Sequence, residues 1–218
     1  EASIAQVILL SANCAQKPRL VFQNAKLAAE KALVESGLTY VIVRPTAFFK
    51  SLSGQIGRVQ KGRPFLLFGD GSLTACKPIN DRDLANYLVD CIDDRSRWNR
   101  ILPIGGPGPA ITPREQGEAL FDLLGKPPRF RQVPLAVFGA ICGTLGVLSR
   151  VAPSLVKQAE LAKIGYYYAT ESMLVFNAET ERYDAAVTPS YGIDLLFEFY
   201  RQGLVGTATV ERGDHSVV

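Results

Sequence analysis

The 218-residue sequence holds one histidine, His215, in a polar stretch near its C-terminal end. A single histidine placed in a polar tail removes every Ser-His-Asp triad and most metal sites. The four cysteines, Cys14, Cys76, Cys91 and Cys142, form no C-x-x-C pair. A chain of this size needs no disulfide staples, so free thiols in a reducing compartment are expected. No G-x-G-x-x-G loop follows a strand, and the usual cradle for a dinucleotide diphosphate is therefore absent from these residues. Charge of one sign is also missing: 24 Lys and Arg against 21 Asp and Glu leave +3. No basic run is interleaved with aromatics, so no nucleic-acid partner is expected. Signal-peptide patterning, internal repeats and low-complexity segments are not found. The longest uncharged run, residues 133–149, is short for a membrane span and contains Pro134, Gly139, Gly143 and Gly146.

What is present reads as a globular α/β chain, 47% hydrophobic and 21% charged. Residues 7–12 are continuously apolar, as in a strand buried on both faces of a parallel sheet. Pro18 suits the first turn of a helix with an apolar stripe of Leu20, Leu27, Ala28 and Leu33, and Gly37 suits the position after its end. Residues 40–43 return as a second buried strand, completing a right-handed βαβ unit. Residues 65–68 and 100–104 read as short strands, and Asn80 or Asp81 can cap a helix through Leu84, Tyr87, Leu88 and Cys91. Gly105-Gly106-Pro107-Gly108 superficially resembles a phosphate loop, but it lacks the Lys-Ser/Thr of a P-loop and reads as a structural turn. Thr112, Pro113 and Glu115 open a helix that stops at Gly125. Residues 135–148 are apolar nearly all round, which predicts a helix buried beneath the substrate region. The alternative for this segment is an interfacial helix in peripheral contact with a membrane. A helix continues over 154–162, an amphipathic helix closes the fold at 194–200, and 207–218 form a loose tail.

Classical short-chain reductases work with Y-x-x-x-K, in which one helical turn sets tyrosine and lysine on the same face. None of the eight tyrosines has a lysine four residues on; Phe22 stands four before Lys26. The ammonium is kept and the phenol is gone. Lys26 can anchor a nicotinamide ribose or act as an acid, and spacing alone equally describes a solvated lysine beside Lys31. Ser11 ends the first strand, where ligands bind in open α/β sheets, unless it merely closes the strand. Arg44-Pro45-Thr46 occupies the matching end of the next strand. There Pro45 turns the chain, and Thr46 can offer its hydroxyl or N–H to a carboxamide. Phe48 and Phe49 either flank an aromatic ligand or belong to the core.

Longer strings go beyond generic fold logic. Leu9-Leu10-Ser11-Ala12, Phe22-Gln23-Asn24-Ala25-Lys26, Val43-Arg44-Pro45-Thr46-Ala47-Phe48-Phe49-Lys50, Phe68-Gly69-Asp70-Gly71, Ala75-Cys76-Lys77-Pro78-Ile79, Thr112-Pro113-Arg114-Glu115-Gln116-Gly117-Glu118 and Lys163-Ile164-Gly165-Tyr166-Tyr167-Tyr168-Ala169-Thr170 resemble the divinyl chlorophyllide 8-vinyl-reductase family. That family is an atypical, NmrA-like branch of the short-chain reductases. The resemblance implies an NAD(P)-binding Rossmann-like doubly wound sheet, present as its C-terminal half, with a smaller α/β substrate-binding part. Residues 1–50 would be core and 51–206 substrate-binding, interleaved with the last core elements. It implies NADPH as hydride donor and a magnesium chlorin, divinyl chlorophyllide or protochlorophyllide, as substrate. It places the protein in a chloroplast or in the cytoplasm of a photosynthetic bacterium, with the phosphate loop on an N-terminal half outside this sequence. Lys26 becomes the catalytic residue. Ser11, Lys26, Pro45, Thr46 and Phe48 become cofactor contacts; Phe49, Lys50, Phe68, Lys77 and Tyr167 become substrate contacts. A reductase of another conjugated C=C bond and a non-catalytic relative with the same fold are the rival readings.

Overall fold

A computed structural model describes residues 4–205. In chain order the elements are β1 (Gln6–Leu10), α1 (Val21–Glu35), β2 (Thr39–Pro45), α2 (Phe49–Leu52), α3 (Ile56–Gln60), β3 (Phe65–Phe68), α4 (Asp81–Asp93), β4 (Arg100–Ile104), α5 (Pro113–Leu123), β5 (Phe130–Val133), α6 (Leu135–Leu148), α7 (Val156–Thr170), β6 (Val175–Asn177), β7 (Arg182–Asp184) and α8 (Leu196–Val205). They form two compact units, one from residues 4–49, 76–110 and 173–196, the other from 50–75, 111–172 and 197–205. The expected loose tail and His215 lie outside the described residues.

The first unit is built on a parallel sheet in the order β1-β2-β4. Leu10 registers with Val43, Val43 with Leu102, and Pro45 with Ile104, so the C-terminal ends of the strands lie side by side. The β-branched run Val41-Ile42-Val43 is wholly buried in the central strand. Alternation sends Val41 and Val43 to one face, where they pack with Ile79, Leu84, Tyr87, Cys91 and Ile104, and sends Ile42 to the other. Each such side chain contributes about 1.5–3 kcal/mol through burial. β1 departs from the expectation of burial on both faces: its residues are half-exposed, and Leu10 is exposed. The reason is topological, because β1 is an edge strand with one partner among the described residues.

α1 begins at Val21, three residues beyond Pro18. The Gln23 side chain accepts from the N–H groups of Arg19 at 2.6 Å and Leu20 at 2.9 Å, satisfying donors that a helix start leaves open. The buried residues of α1 are the polar Gln23 and Glu30, whereas Leu27 and Leu33 are half-exposed and Ala28 is exposed. The apolar stripe predicted for this helix is therefore not its buried face. Gly37 does follow the helix end, with φ +77°. Asn80 caps α4 by accepting from Arg82 N–H at 3.4 Å. A β6–β7 hairpin, unmarked in the sequence, adds an antiparallel pair.

The second unit pairs β3 with β5 in parallel, Phe65 opposite Phe130. Phe130 meets Phe65 and Phe121 edge-on at ring separations of 6.3 and 6.2 Å. Gly117 makes this packing possible, since a Cβ there would stand 2.5 Å from the Phe130 ring. Thr112 and Glu115 form the expected capping box of α5. α6 has the predicted bounds but not the predicted burial: none of its residues is buried. It packs mainly along α7, Phe138 meeting Tyr166 edge-on at 5.7 Å and the Cys142 thiol donating to the Ala162 carbonyl at 3.3 Å. The three consecutive tyrosines lie within α7.

Candidate active site

The sheet ends of the first unit gather the chemistry. Ser11 N–H donates to the Val43 carbonyl at 2.8 Å, fixing the serine just beyond β1. Its hydroxyl donates to the buried Glu30 carboxylate. Arg44, at the end of β2, holds the same carboxylate with two donors, Nε reaching Oε1 at 3.0 Å and a terminal nitrogen reaching Oε2. The carboxylate is thus neutralised and hydrogen-bonded, as a buried charge must be. Lys26 lies one helical turn before Glu30 on α1 and borders the same place. An open groove of about 260 Å³ is lined by Leu9, Leu10, Ser11, Ala25, Lys26 and Ala29. The Lys26 ammonium has no ion-pair partner among the described residues. The groove therefore offers a free cation and a serine oxygen that is committed as a donor to Glu30 but open as an acceptor.

The other expected cofactor contacts, and the substrate contacts Phe49 and Lys77, are placed differently. Thr46 spends its N–H on the Ile104 carbonyl at 2.9 Å and its hydroxyl on the Lys77 carbonyl, so neither donor is left for a carboxamide. Pro45 is buried at the end of β2, in register with Ile104. Phe48 packs on the core of the first unit. Phe49 is 1% exposed and cannot stack on a ligand. Lys77 reaches the Thr188 carbonyl and the Ser190 hydroxyl, both at 3.1 Å. Gly105 and Gly106 donate their N–H groups to the Pro189 and Lys77 carbonyls, as a structural turn would and a phosphate loop would not.

Lys50, Phe68 and Tyr167 belong to the second unit. Lys50 is exposed on α2. Phe68 is half-buried and stacked on Phe138 at 4.5 Å. Tyr167 is 4% exposed, so this expected stacking residue is interior.

No tyrosine lines the groove in place of the missing phenol. Tyr191 donates to Asp90 at 2.6 Å, which raises its pKa, and desolvation raises that of Tyr87. The cysteines form no disulfide, and burial pushes the Cys76 thiol up to about 12, well away from nucleophile range. Among the described residues no group of three or more His, Cys, Asp or Glu side chains can hold a metal. Glu30 escaped the sequence reading. Its only signal was an acid four residues after Lys26, a spacing that more often marks a solvated helix pair.

No family model matches the chain. The resemblance seen in the sequence is borne out: the chain is 52% identical to the chloroplastic divinyl chlorophyllide a 8-vinyl-reductase of Cucumis sativus, over 96% of this chain and 52% of that protein. It spans about half the length of the curated relatives it matches. Among solved structures, leucoanthocyanidin reductase from Vitis vinifera aligns with TM-score 0.66 at 12% identity, covering 93% of this chain and 69% of that one. An NADPH-dependent quinone oxidoreductase from Escherichia coli, solved with NADPH, aligns with TM-score 0.57 at 16% identity, covering 90% and 65%. The fold is the NAD(P)-binding Rossmann-like fold of such reductases.

Proposed function

We propose that the chain is the catalytic and substrate-binding portion of an NADPH-dependent reductase that converts the 8-vinyl group of divinyl chlorophyllide or protochlorophyllide to ethyl. The observation that carries this reading is 52% identity with the cucumber enzyme over 96% of the chain. The groove supports it with an ammonium and a hydroxyl at the carboxyl ends of parallel strands, where open α/β sheets take their ligands. These residues fit the nicotinamide-riboside end of the cofactor. The diphosphate cradle is not among them. By the same reading the protein is chloroplastic, as the cucumber relative is.

NADPH, when bound, supplies the hydride. Lys26 holds the ribose and places positive charge beside the reacting centre. Ser11 accepts a hydrogen bond from the carboxamide, because its own proton is committed to Glu30. Glu30 and Arg44 keep Ser11 oriented. Hydride addition to a vinyl group leaves carbanionic charge delocalised into the macrocycle and no alkoxide. A phenol placed against an oxyanion is then not required, which accounts for Phe22. One proton completes the ethyl group, and Lys26 is its proposed source. Lys50 and Phe68 are the proposed contacts to the pigment's carboxylate edge and flat face; Phe49 and Tyr167 are buried, and the Lys77 ammonium is held by Thr188 and Ser190.

The test is to express the longer protein containing this chain and supply it with divinyl chlorophyllide and NADPH. A product carrying two more hydrogens at the 8-position, formed with one NADPH oxidised per pigment, supports the reading. Pigment left unchanged under conditions that reduce another conjugated alkene favours a different substrate.

A further inference from the structure

One face of α6 is left uncovered among the described residues. Val137, Ile141, Val147, Leu148 and Val151 are 50%, 47%, 62%, 44% and 80% exposed. Val137, Ile141, Thr144 and Leu148 recur at helical spacing on one stripe, while Phe138, Gly139 and Cys142 turn the other way, toward α7. Val137, Ile141 and Thr144 form a shallow open hollow of about 450 Å³ with Ala140 and Leu145. Its one polar side chain is satisfied internally, Thr144 donating to the Ala140 carbonyl at 2.8 Å. This face can therefore enter an apolar medium without stranding a side-chain hydrogen-bonding group.

The flanking charge selects what covers it. Residues 123–159 contain no Asp or Glu, and their five cations, Lys126, Arg129, Arg131, Arg150 and Lys157, are all exposed. They bracket the apolar helix on both sides in sequence. A second copy docking here would bring like charges together. An anionic bilayer surface complements both the apolar stripe and the cations. The 14-residue helix is about 21 Å long, short of the roughly 30 Å hydrocarbon core, so it lies in the interface and does not cross. No helix among the described residues is long and apolar enough to cross a membrane.

We infer that α6 is an interfacial docking helix that holds the protein on an anionic lipid surface, by its Val137–Ile141–Leu148 stripe and the cations that flank it. This goes beyond the proposed reaction and stands whether or not that reaction is correct. Flotation of the purified chain with phosphatidylcholine vesicles, with and without phosphatidylglycerol, tests it. The wild type is expected to float with the anionic vesicles and to be released by salt. Ile141→Asp should stay at the bottom with an unchanged thermal transition, since Ile141 is exposed. Replacing Arg129, Arg131 and Arg150 with Gln should abolish the preference for phosphatidylglycerol. As a check independent of any folding defect in the Asp variant, Ile141→Trp in a Trp98→Phe background should shift its emission to the blue on adding vesicles. Wild type that remains at the bottom, flotation undiminished in folded Ile141→Asp, or unshifted emission from the introduced tryptophan would each overturn the inference. So would a wild-type dimer that ignores vesicles and that Ile141→Asp turns into a monomer, which would assign this face to a second copy.

Discussion

Glu30 on α1 and Arg44 at the end of β2 form a two-pronged, largely buried ion pair, and Ser11 hangs from the same carboxylate. Removing one partner strands the other charge in the interior. Glu30→Ala should therefore cost about 3–5 kcal/mol in denaturant unfolding. Glu30→Ala combined with Arg44→Ala should cost no more than the single change, because the stranded guanidinium is gone. A single-variant loss below about 1 kcal/mol would mean the pair is not what fixes the sheet end.

Gly106 has no room for a side chain. A Cβ there would stand 2.0 Å from the Pro78 carbonyl oxygen and 3.1 Å from the Ile79 Cα, both backbone atoms that cannot swing aside. Gly106→Ala should destabilise the chain by roughly 3 kcal/mol, the upper range for an overpacked site. Gly143→Ala is the control, with nothing within 4 Å of its Cβ. Equal thermal transitions for the two variants would contradict the packing described here.

Asp94 accepts from the Ser96 hydroxyl at 2.6 Å and its N–H at 3.0 Å, and pairs with Arg97 at 2.8 Å. These hydrogen bonds, the Ser96 hydroxyl first, lower its pKa. A carboxylate with a depressed folded pKa stabilises the fold above its unfolded value, near 4, and loses that contribution as pH falls through the folded value. Asp94→Asn should then be less stable than wild type at pH about 7, with the gap closing below pH about 4. A gap that stays constant across this range would show that the charge of Asp94 is not involved.

Much of this is legible in local patterns. The Val41–Val43 run, the Asn80 cap and the Thr112/Glu115 capping box each announce their element through neighbours a few residues away. The limits of α6 are equally plain, but its exposure is not: hydrophobicity predicts burial only when something is available to bury against. β5 is hidden because its FRQV sequence carries exposed Arg131 and Gln132, and its pairing with β3 spans a long stretch of chain. At the site, Ser11 and Lys26 can be named from strand end and motif spacing. Glu30 and Arg44 cannot be joined, because ion pairs across a crossover leave no periodic mark. Thr46 points to a ligand on the strength of its strand end, yet tertiary partners at Ile104 and Lys77 take both its donors.

The central claim is that Lys26 works without a phenol at position 22. The direct measurement is steady-state turnover of divinyl chlorophyllide by the longer protein carrying Lys26→Ala or Phe22→Tyr. Lys26→Ala should lower kcat/KM by about a hundredfold or more. Phe22→Tyr should bring no gain, since vinyl reduction forms no oxyanion for a tyrosine to protonate. Near-normal turnover in Lys26→Ala, or a marked acceleration in Phe22→Tyr, would contradict the account.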